Sequence, residues 1–456
     1  MTPRQEHDTM GAVTVPGHAY YGAQTQRARE NFSVSGLALP RVFVRSLALI
    51  KQCAAAVNRS LGLLPAQQAD AVEQAAREIR QGQMADQFVV DVFQTGSGTS
   101  TNMNMNEVVA GRANEILTGK RGGKSPVHPN DQVNKGQSSN DVIPSALHIA
   151  AVTGIREQLL PALRGLAESL HSKAHELRDV LKPGRTHLQD ALPVTLGQEF
   201  GAYARQIELG IERITACEPS LLRLAVGGTA VGTGVNAHPD FAPGVIALIA
   251  RETGCAFCET ENHFEAQAAQ DAAVETSGIL KTVAVSLSKI ANDIRWLSSG
   301  PRCGIGEITL PALQPGSSSM PGKVNPVIPE VVVQVAAQVV GNDTVITLGG
   351  QGGAFELNTM LPVIAYNLLQ SIDIMATASQ LFADRCVSGI TADPTRCRDA
   401  AHRSLSLATY LVPVMGNDRA AQVARDAHAA GKTILEIVQE QGLLSAEETD
   451  NLFKKP

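Results

Sequence analysis

The sequence predicts an all-α protein, and three observations carry that expectation. Aromatic residues are only 4% of the chain while apolar residues reach 44%, so Ala, Val, Leu and Ile must fill the interior. That filling suits long, closely packed helices better than a β-sandwich, whose strands favour aromatic and β-branched side chains. Long stretches at 142–178, 193–217, 326–346 and 357–388 carry apolar residues at helical spacing. Within 265–298, Ile279, Val283, Leu287, Ile290, Ile294 and Leu297 follow steps of four and three and line one stripe.

Taken in order, residues 1–137 are broken by Gly, Pro and Asn and hold short helices, including one near 41–58 and one near 65–82. The long helical stretches follow, with Pro183-Gly184 marking a turn between the first two. In 265–298, Ala268, Ala272, Ala284 and Ala291 lie on other faces than the stripe, which predicts burial on several sides. Such burial is easier to reach if the helices also pack against other subunits. Beyond Ile390 the pattern shortens, and a small helical unit ends near Phe453. No internal repeat or low-complexity tract occurs.

Composition narrows the function. A chain of 456 residues can form two or three domains or one extended helical body. With 38 basic and 44 acidic residues the net charge is -6, unlike the basic footprint of a nucleic-acid binder. The seven cysteines, Cys53, Cys217, Cys255, Cys258, Cys303, Cys386 and Cys397, are odd in number and scattered, which fits reduced thiols and a cytoplasmic location. Cys255 and Cys258 form a CxxC, but no second CxxC or spaced histidine pair accompanies it. The N-terminus lacks the apolar core of a secretory signal, and no unbroken run of about 18 apolar residues predicts a membrane span.

Four polar islands interrupt the apolar scaffold. Thr95-Gly96-Ser97-Gly98-Thr99-Ser100-Thr101-Asn102 mixes hydroxyls with glycines, whose exposed N–H groups can wrap an anion; it can equally be a turn that caps the helix containing Glu107. The second runs from His128 to Asp141 and leads into the helix beginning near Val142. Ser138, Ser139 and Asn140 then sit where free N–H groups favour a carboxylate, or where Ser139 or Asn140 simply caps the helix. His128 and Asp131 lack the further His or Cys ligands of a metal site, and none is expected.

The third island, Gly184-Arg185-Thr186-His187-Leu188-Gln189-Asp190, sets His187 among polar neighbours near a turn. That makes it a candidate acid or base if the fold brings it to the fourth island. The fourth is Gly316-Ser317-Ser318-Ser319-Met320-Pro321-Gly322-Lys323-Val324-Asn325-Pro326, with Glu330 just beyond. Either it is a Ser/Gly surface linker, or it carries a proton-transfer oxygen, a cation and an amide donor to one place. The second alternative suits proton removal beside a carboxylate in a small dianion. Glu330 beside His187 would raise the imidazole's basicity and fix its orientation. The spacing from Gly316 to Lys323 fails the phosphate-loop pattern, and Gly349-Gly350-Gln351-Gly352-Gly353 fails the dinucleotide one, so no cofactor is expected.

Together these strings resemble the fumarase/aspartase superfamily over nearly the whole chain, and most closely its class II fumarate hydratases. The resemblance rests on DTMGAVTVP, YGAQTQRA, TGSGTSTNMNMNE, HPNDQVNKGQSSND, GRTHLQDALPVTLGQEF, GGTAVGTGVN, ANDIRWLSSGPRCGIGEI and the signature GSSSMPGKVNP, in that order. Asn262-His263-Phe264-Glu265-Ala266 and Phe355-Glu356-Leu357-Asn358 match the hydratase branch. Val327-Ile328-Pro329-Glu330 lies nearer the aspartate ammonia-lyases, the alternative activity, and Ser319 stands where the family usually has an aliphatic residue.

The resemblance implies a three-domain helical subunit: 1–137; 138–390, with the signature loop at 314–326; and 391–456. The central helices of four subunits would form a twenty-helix core, with active sites shared by three chains. It implies catalytic roles for Ser317, His187, Lys323 and Glu330. A small dicarboxylate would be held by Ser97, Thr99, Ser138, Ser139, Asn140, Thr186, Lys323 and Asn325. A second anion site would lie at His128, Asn130 and Asp131. The implied reaction is the metal-free, reversible hydration of fumarate to L-malate.

Overall fold

The structure is a computed structural model that describes residues 2–453. Its helices are α1 (Ala23–Asn31), α2 (Arg41–Ser60), α3 (Ala66–Arg80), α4 (Thr99–Thr118), α5 (Ser139–Gly154), α6 (Leu160–Glu176), α7 (Leu196–Leu221), α8 (Phe241–Thr253), α9 (His263–Ala268), α10 (Asp271–Leu297), α11 (Val327–Gly350), α12 (Leu361–Arg385) and α13 (Pro394–Arg403), followed by α14 (Val412–Met415), α15 (Asn417–Ala430), α16 (Ile434–Glu440) and α17 (Ala446–Phe453). Among the described residues the strands form only two-stranded pairs. Those that matter here are the hairpin β1 (Arg4–Asp8) with β2 (Gly11–Val15), and the hairpin β3 (Leu181–Thr186) with β4 (Gln189–Thr195). The expected all-helical class holds.

The chain forms two compact units. The first comprises Met1–Pro161, Glu212–Ala284 and Ala337–Ala376; the second comprises Ala162–Ile211, Val285–Ala336 and Thr377–Pro456. In the first unit α2 is the organising helix and packs on α3, α5 and α8. Phe43, Leu47, Ile50, Ala54 and Val57 recur at steps of four and three along it, and all are buried. In the second unit β3 packs on α13, and the C-terminal helices close a small core of their own around Leu411, Val423, Ile434 and Val438.

Several expectations need correction. Pro183-Gly184 is not a turn; both residues lie inside β3, where Pro183 pairs with Pro193. A two-stranded ribbon tolerates prolines because each strand has a side that owes no ladder bond. The register shifts between Pro183 and Arg185. A Cβ at the intervening Gly184 would meet the Leu192 carbonyl oxygen at 2.7 Å, so glycine is required at that bulge. The 265–298 helix is two helices, α9 and α10, and its outer positions stay open within one chain: Val285 is 57% and Trp296 54% exposed. Helices α2 and α4, at 20 residues each, are not short.

Helix α11 has the length and composition of a membrane-crossing helix. Asn342 and Asp343 interrupt its apolar run, and both are buried. Ser277 and Lys281 of α10 bond Asp343 at 2.9 and 2.5 Å, while Asn342 donates to Ser371 and Gln370 of α12 at 3.0 Å each. Those ties belong to a helix packed among protein neighbours.

Candidate active site

In the first unit, two helix N-termini meet. Gly98 enters α4 at φ +74, and the first turn's N–H groups find local acceptors: Ser100 donates to the Thr95 hydroxyl and Thr101 to the Gln94 side chain. Gly96 is forced, because a Cβ there would sit 1.8 Å from the Thr359 carbonyl oxygen. Helix α5 opens with Ser138 as N-cap. Its hydroxyl accepts from the Asn140 N–H at 3.2 Å, and its own N–H donates to Asp141 at 2.9 Å, a capping box. The cap is therefore Ser138, not Ser139 or Asn140, and this frees the latter two.

The freed side chains join the first island. Ser97 Oγ lies 2.7 Å from Thr99 Oγ1, which lies 2.7 Å from Ser139 Oγ. Ser139 donates to Asn140 Oδ1 at 3.2 Å, and Asn140 Nδ2 donates to the Ala230 carbonyl at 2.8 Å. Residues 97, 99, 139 and 140 thus form one connected polar row between the starts of α4 and α5. Two helix dipoles and a line of hydroxyls make a site for a carboxylate without a formal charge at its surface.

Beneath the row lies Lys51 of α2, a residue that the islands did not reveal. It is fully buried and donates to Asn102 Oδ1 at 2.7 Å, Gln137 Oε1 at 2.9 Å and Asn134 Oδ1 at 3.0 Å. Burial pulls its ammonium down to about 7, against the attraction of Asp141. Asp141 is buried too. Burial pushes its carboxyl up to about 6, against the N–H groups of Ser138, Thr229 and Gly227. The sequence signal was a lysine inside a run of apolar positions on α2, with no acidic residue one helical turn away.

The 128–131 segment forms its own turn. His128 Nδ1 accepts from the N–H groups of Asn130 at 3.1 Å and Asp131 at 3.3 Å, capping a wide helical turn over Pro129–Val133. This requires the neutral tautomer with its proton on Nε2. Among the described residues no group of three His, Cys, Asp or Glu side chains is placed to hold a metal.

In the second unit, the signature loop is tied to itself. Gly316 N–H donates to the Lys323 carbonyl, and Asn325 Nδ2 donates to the Gly316 carbonyl, both at 2.8 Å. Inside this clasp, Ser317 Oγ accepts the N–H groups of Ser319 at 3.2 Å and Met320 at 3.1 Å. Ser319 Oγ lies 3.4 Å away, and Lys323 Nζ donates to Asn325 Oδ1 at 2.9 Å. Two backbone donors converging on a hydroxyl oxygen favour its anion.

The same unit carries Thr186 and His187 at the tip of the β3–β4 hairpin, where His187 and Leu188 form the two-residue turn at φ 56 and 61. Left-handed backbone at two successive non-glycine residues is strained and concentrates at functional positions. The ribbon is held by buried charge. Arg185 grips Glu307 at 2.6 and 3.2 Å, and Lys182 lies 2.8 Å from Glu199 and 3.4 Å from Glu307. Glu330 stands in the first turn of α11. Among the described hydrogen bonds, none joins it to His187 within one chain.

Residues 11–341 match the lyase family, and residues 407–455 match the fumarase C C-terminus. All four islands fall within the first match. Fumarate hydratase class II of Nitrosomonas europaea is 54% identical over 98% of this chain and 97% of its own length. That of Mycobacterium tuberculosis is 55% identical over 97% of this chain and 92% of its own length. The chain belongs to the class II fumarate hydratase family. In three dimensions, the class II fumarase from Schistosoma mansoni superimposes with a TM-score of 0.96 at 38% identity, covering both chains fully. A fumarate lyase:delta crystallin from Brucella melitensis bound to cobalt gives 0.95 at 46% identity over 99% of this chain and 98% of that one. The family assignment thus spans both units and the C-terminal helices.

Proposed function

We propose that the protein reversibly hydrates fumarate to L-malate by anti addition of water. In the dehydration direction, Ser317 Oγ as alkoxide takes the C3 proton of malate, and the electron pair passes into the adjacent carboxylate. Lys323 and Asn325 bind the resulting aci-carboxylate dianion, giving most stabilisation where charge develops. His187, oriented by Glu330 of another copy, protonates the departing C2 hydroxyl, which leaves as water. Thr99, Ser138, Ser139, Asn140 and Thr186 hold the carboxylates, and Ser97 positions the water. No metal is needed, because the lysine and amide supply the charge stabilisation. His128, Asn130 and Asp131 form a second anion site.

The observation that carries this reading is the Ser317 oxygen held by two backbone N–H groups in the loop that also pairs Lys323 with Asn325. A homotetramer with sites shared by three copies gains support from apolar side chains left exposed on the long helices, among them Val285, Trp296, Val340 and Leu348. A cytoplasmic location agrees with seven unpaired cysteines.

The deciding experiment follows fumarate absorbance in the ultraviolet with purified enzyme, with and without ammonium. Loss of fumarate without ammonium, with malate as product, supports the hydratase. Loss that requires ammonium and yields aspartate assigns the ammonia-lyase activity that Val327-Ile328-Pro329-Glu330 resembles.

A further inference from the structure

Lys51 stands apart from every group used above. It touches none of the polar row, it is fully buried, and its three ammonium hydrogens reach three neutral amide oxygens. A buried lysine without a direct carboxylate partner is costly, and an apolar residue of similar length would cost less in an ordinary helix. Its partners explain its position. Asn102 lies in the first turn of α4, Gln137 immediately precedes the cap of α5, and Asn134 ends the turn that His128 begins. One ammonium therefore fixes the entry segments of both helices whose starts carry Thr99 and Ser139.

Resting on the hydratase reading, we propose that Lys51 is a positioning residue and the buried cation of the dicarboxylate site, setting both its shape and its charge from below. The electrostatic surroundings make that charge consequential. Helix α2 packs against α3, α4, α5, α8 and the Pro129–Val133 turn. From α5, Asp141 acts on Lys51; α4 and the turn present neutral amides, and α3 and α8 add no charge that acts on it. Asp141 itself is committed to the N–H groups of Ser138, Gly227 and Thr229. While Lys51 is protonated the buried pair is neutral. Once Lys51 loses its proton, an uncompensated carboxylate remains beneath the row, and it repels a dianion through a medium that screens poorly. Loss of that proton near neutral pH follows from burial.

The sign is fixed by linkage: a dianion binds the protonated form better, so binding weakens as pH rises above about 7 and in turn draws a proton onto Lys51. The test uses succinate, a dicarboxylate that cannot be dehydrated, titrated calorimetrically into the full-length oligomer between pH 6.5 and 8.5. Succinate is already mostly dianion at pH 6.5, and its residual ionisation would raise affinity with pH, opposite in sign to the predicted fall. Wild-type affinity should fall about tenfold, the effect of one linked proton. In Lys51→Met the fall disappears and affinity is already low at pH 6.5. In Asn134→Asp, a near-isosteric change that puts a carboxylate beside Nζ, the fall moves at least about one pH unit higher. A role confined to folding would lower affinity equally at every pH and would not shift the transition.

Flat wild-type binding overturns the proposal. So does a fall that persists at unchanged pH in both variants or, should Lys51→Met fail to fold, in Asn134→Asp alone. Turnover is scored separately. An oligomer that binds succinate with the predicted pH response but does not hydrate fumarate refutes the reaction and leaves the buried cation standing. Hydration with flat binding does the reverse.

Discussion

The polar row at the starts of α4 and α5 and the signature loop differ in what holds them. The row is seated on the starts of α4 and α5, over a buried lysine and a buried aspartate whose own hydrogen bonds reach residues 102, 134, 137, 138, 227 and 229. The described side-chain hydrogen bonds of Ser317, Lys323 and Asn325 instead close within residues 316–325. A site that must present fixed donors to a carboxylate gains from the first arrangement. On the proposed reaction, an oxygen that must close over its substrate gains from the second, because a self-contained loop can move as one piece. Substrate binding and bond-breaking then fall to different mechanical settings.

That division can be broken by mutation. The largest effect should come from Ser317→Ala, which lowers kcat by roughly 10⁴-fold, the upper range for a general base, while the thermal midpoint stays at the wild-type value. Wild-type-like turnover would remove the proposed base. Asn325→Ala should cost roughly 10²–10³ in kcat, as for one oxyanion donor, again with an unchanged melting curve. Glu307→Gln sharpens the contrast from the hairpin's side. It leaves Lys182 and Arg185 short of a buried partner, so urea unfolding should show a loss of about 3 kcal/mol. No stability change would show that these ties carry no such load.

Acid should weaken the first unit through Asp91. Burial works to raise the Asp91 carboxyl, but N–H groups of Phe93, Ser35 and Gly36 with the Ser35 hydroxyl outweigh it and hold the group at about 2. Its stabilisation is complete above the unfolded value near 3.8 and is lost as pH falls from there towards 2, about 2 kcal/mol in all. Asp91→Asn should therefore lower stability at pH 6 and flatten its decline between pH 4 and 2. The smallest effect is Thr99→Val, which raises KM about tenfold with kcat preserved, the signature of a ground-state contact.

The helical class was legible because stripes such as Val283, Leu287, Ile290 and Ile294 depend only on local period, and all four are buried. The 181–195 hairpin was not legible. Proline and glycine normally announce a turn, whereas here they lie within a strand and the turn falls on His187 and Leu188, neither of which belongs to the Asn-Gly or Asp-Gly pairs that mark such a turn. The islands singled out Ser97, Thr99, Ser139 and Asn140, which the structure joins in one hydrogen-bonded row, but sequence could not tell which serine caps α5. That depends on where the first helical bond closes. Lys51 escaped because its three acceptors come from positions 51, 83 and 86 residues further along the chain. Helical periodicity carries no information at such separations.

The row from Ser97 to Asn140 has a direction. The Ala230 carbonyl takes the Asn140 amide protons, so Oδ1 must face Ser139 and accept. Ser139 then donates onward, Thr99 donates to Ser139, and Ser97 donates to Thr99, like a single file of dancers all facing one way. An arriving oxygen atom need only persuade the last of them to turn, since the Ser139 proton can swing from the amide to the newcomer. At the opposite end Ser97 is left with lone pairs and no proton to give, so what settles there must be a donor.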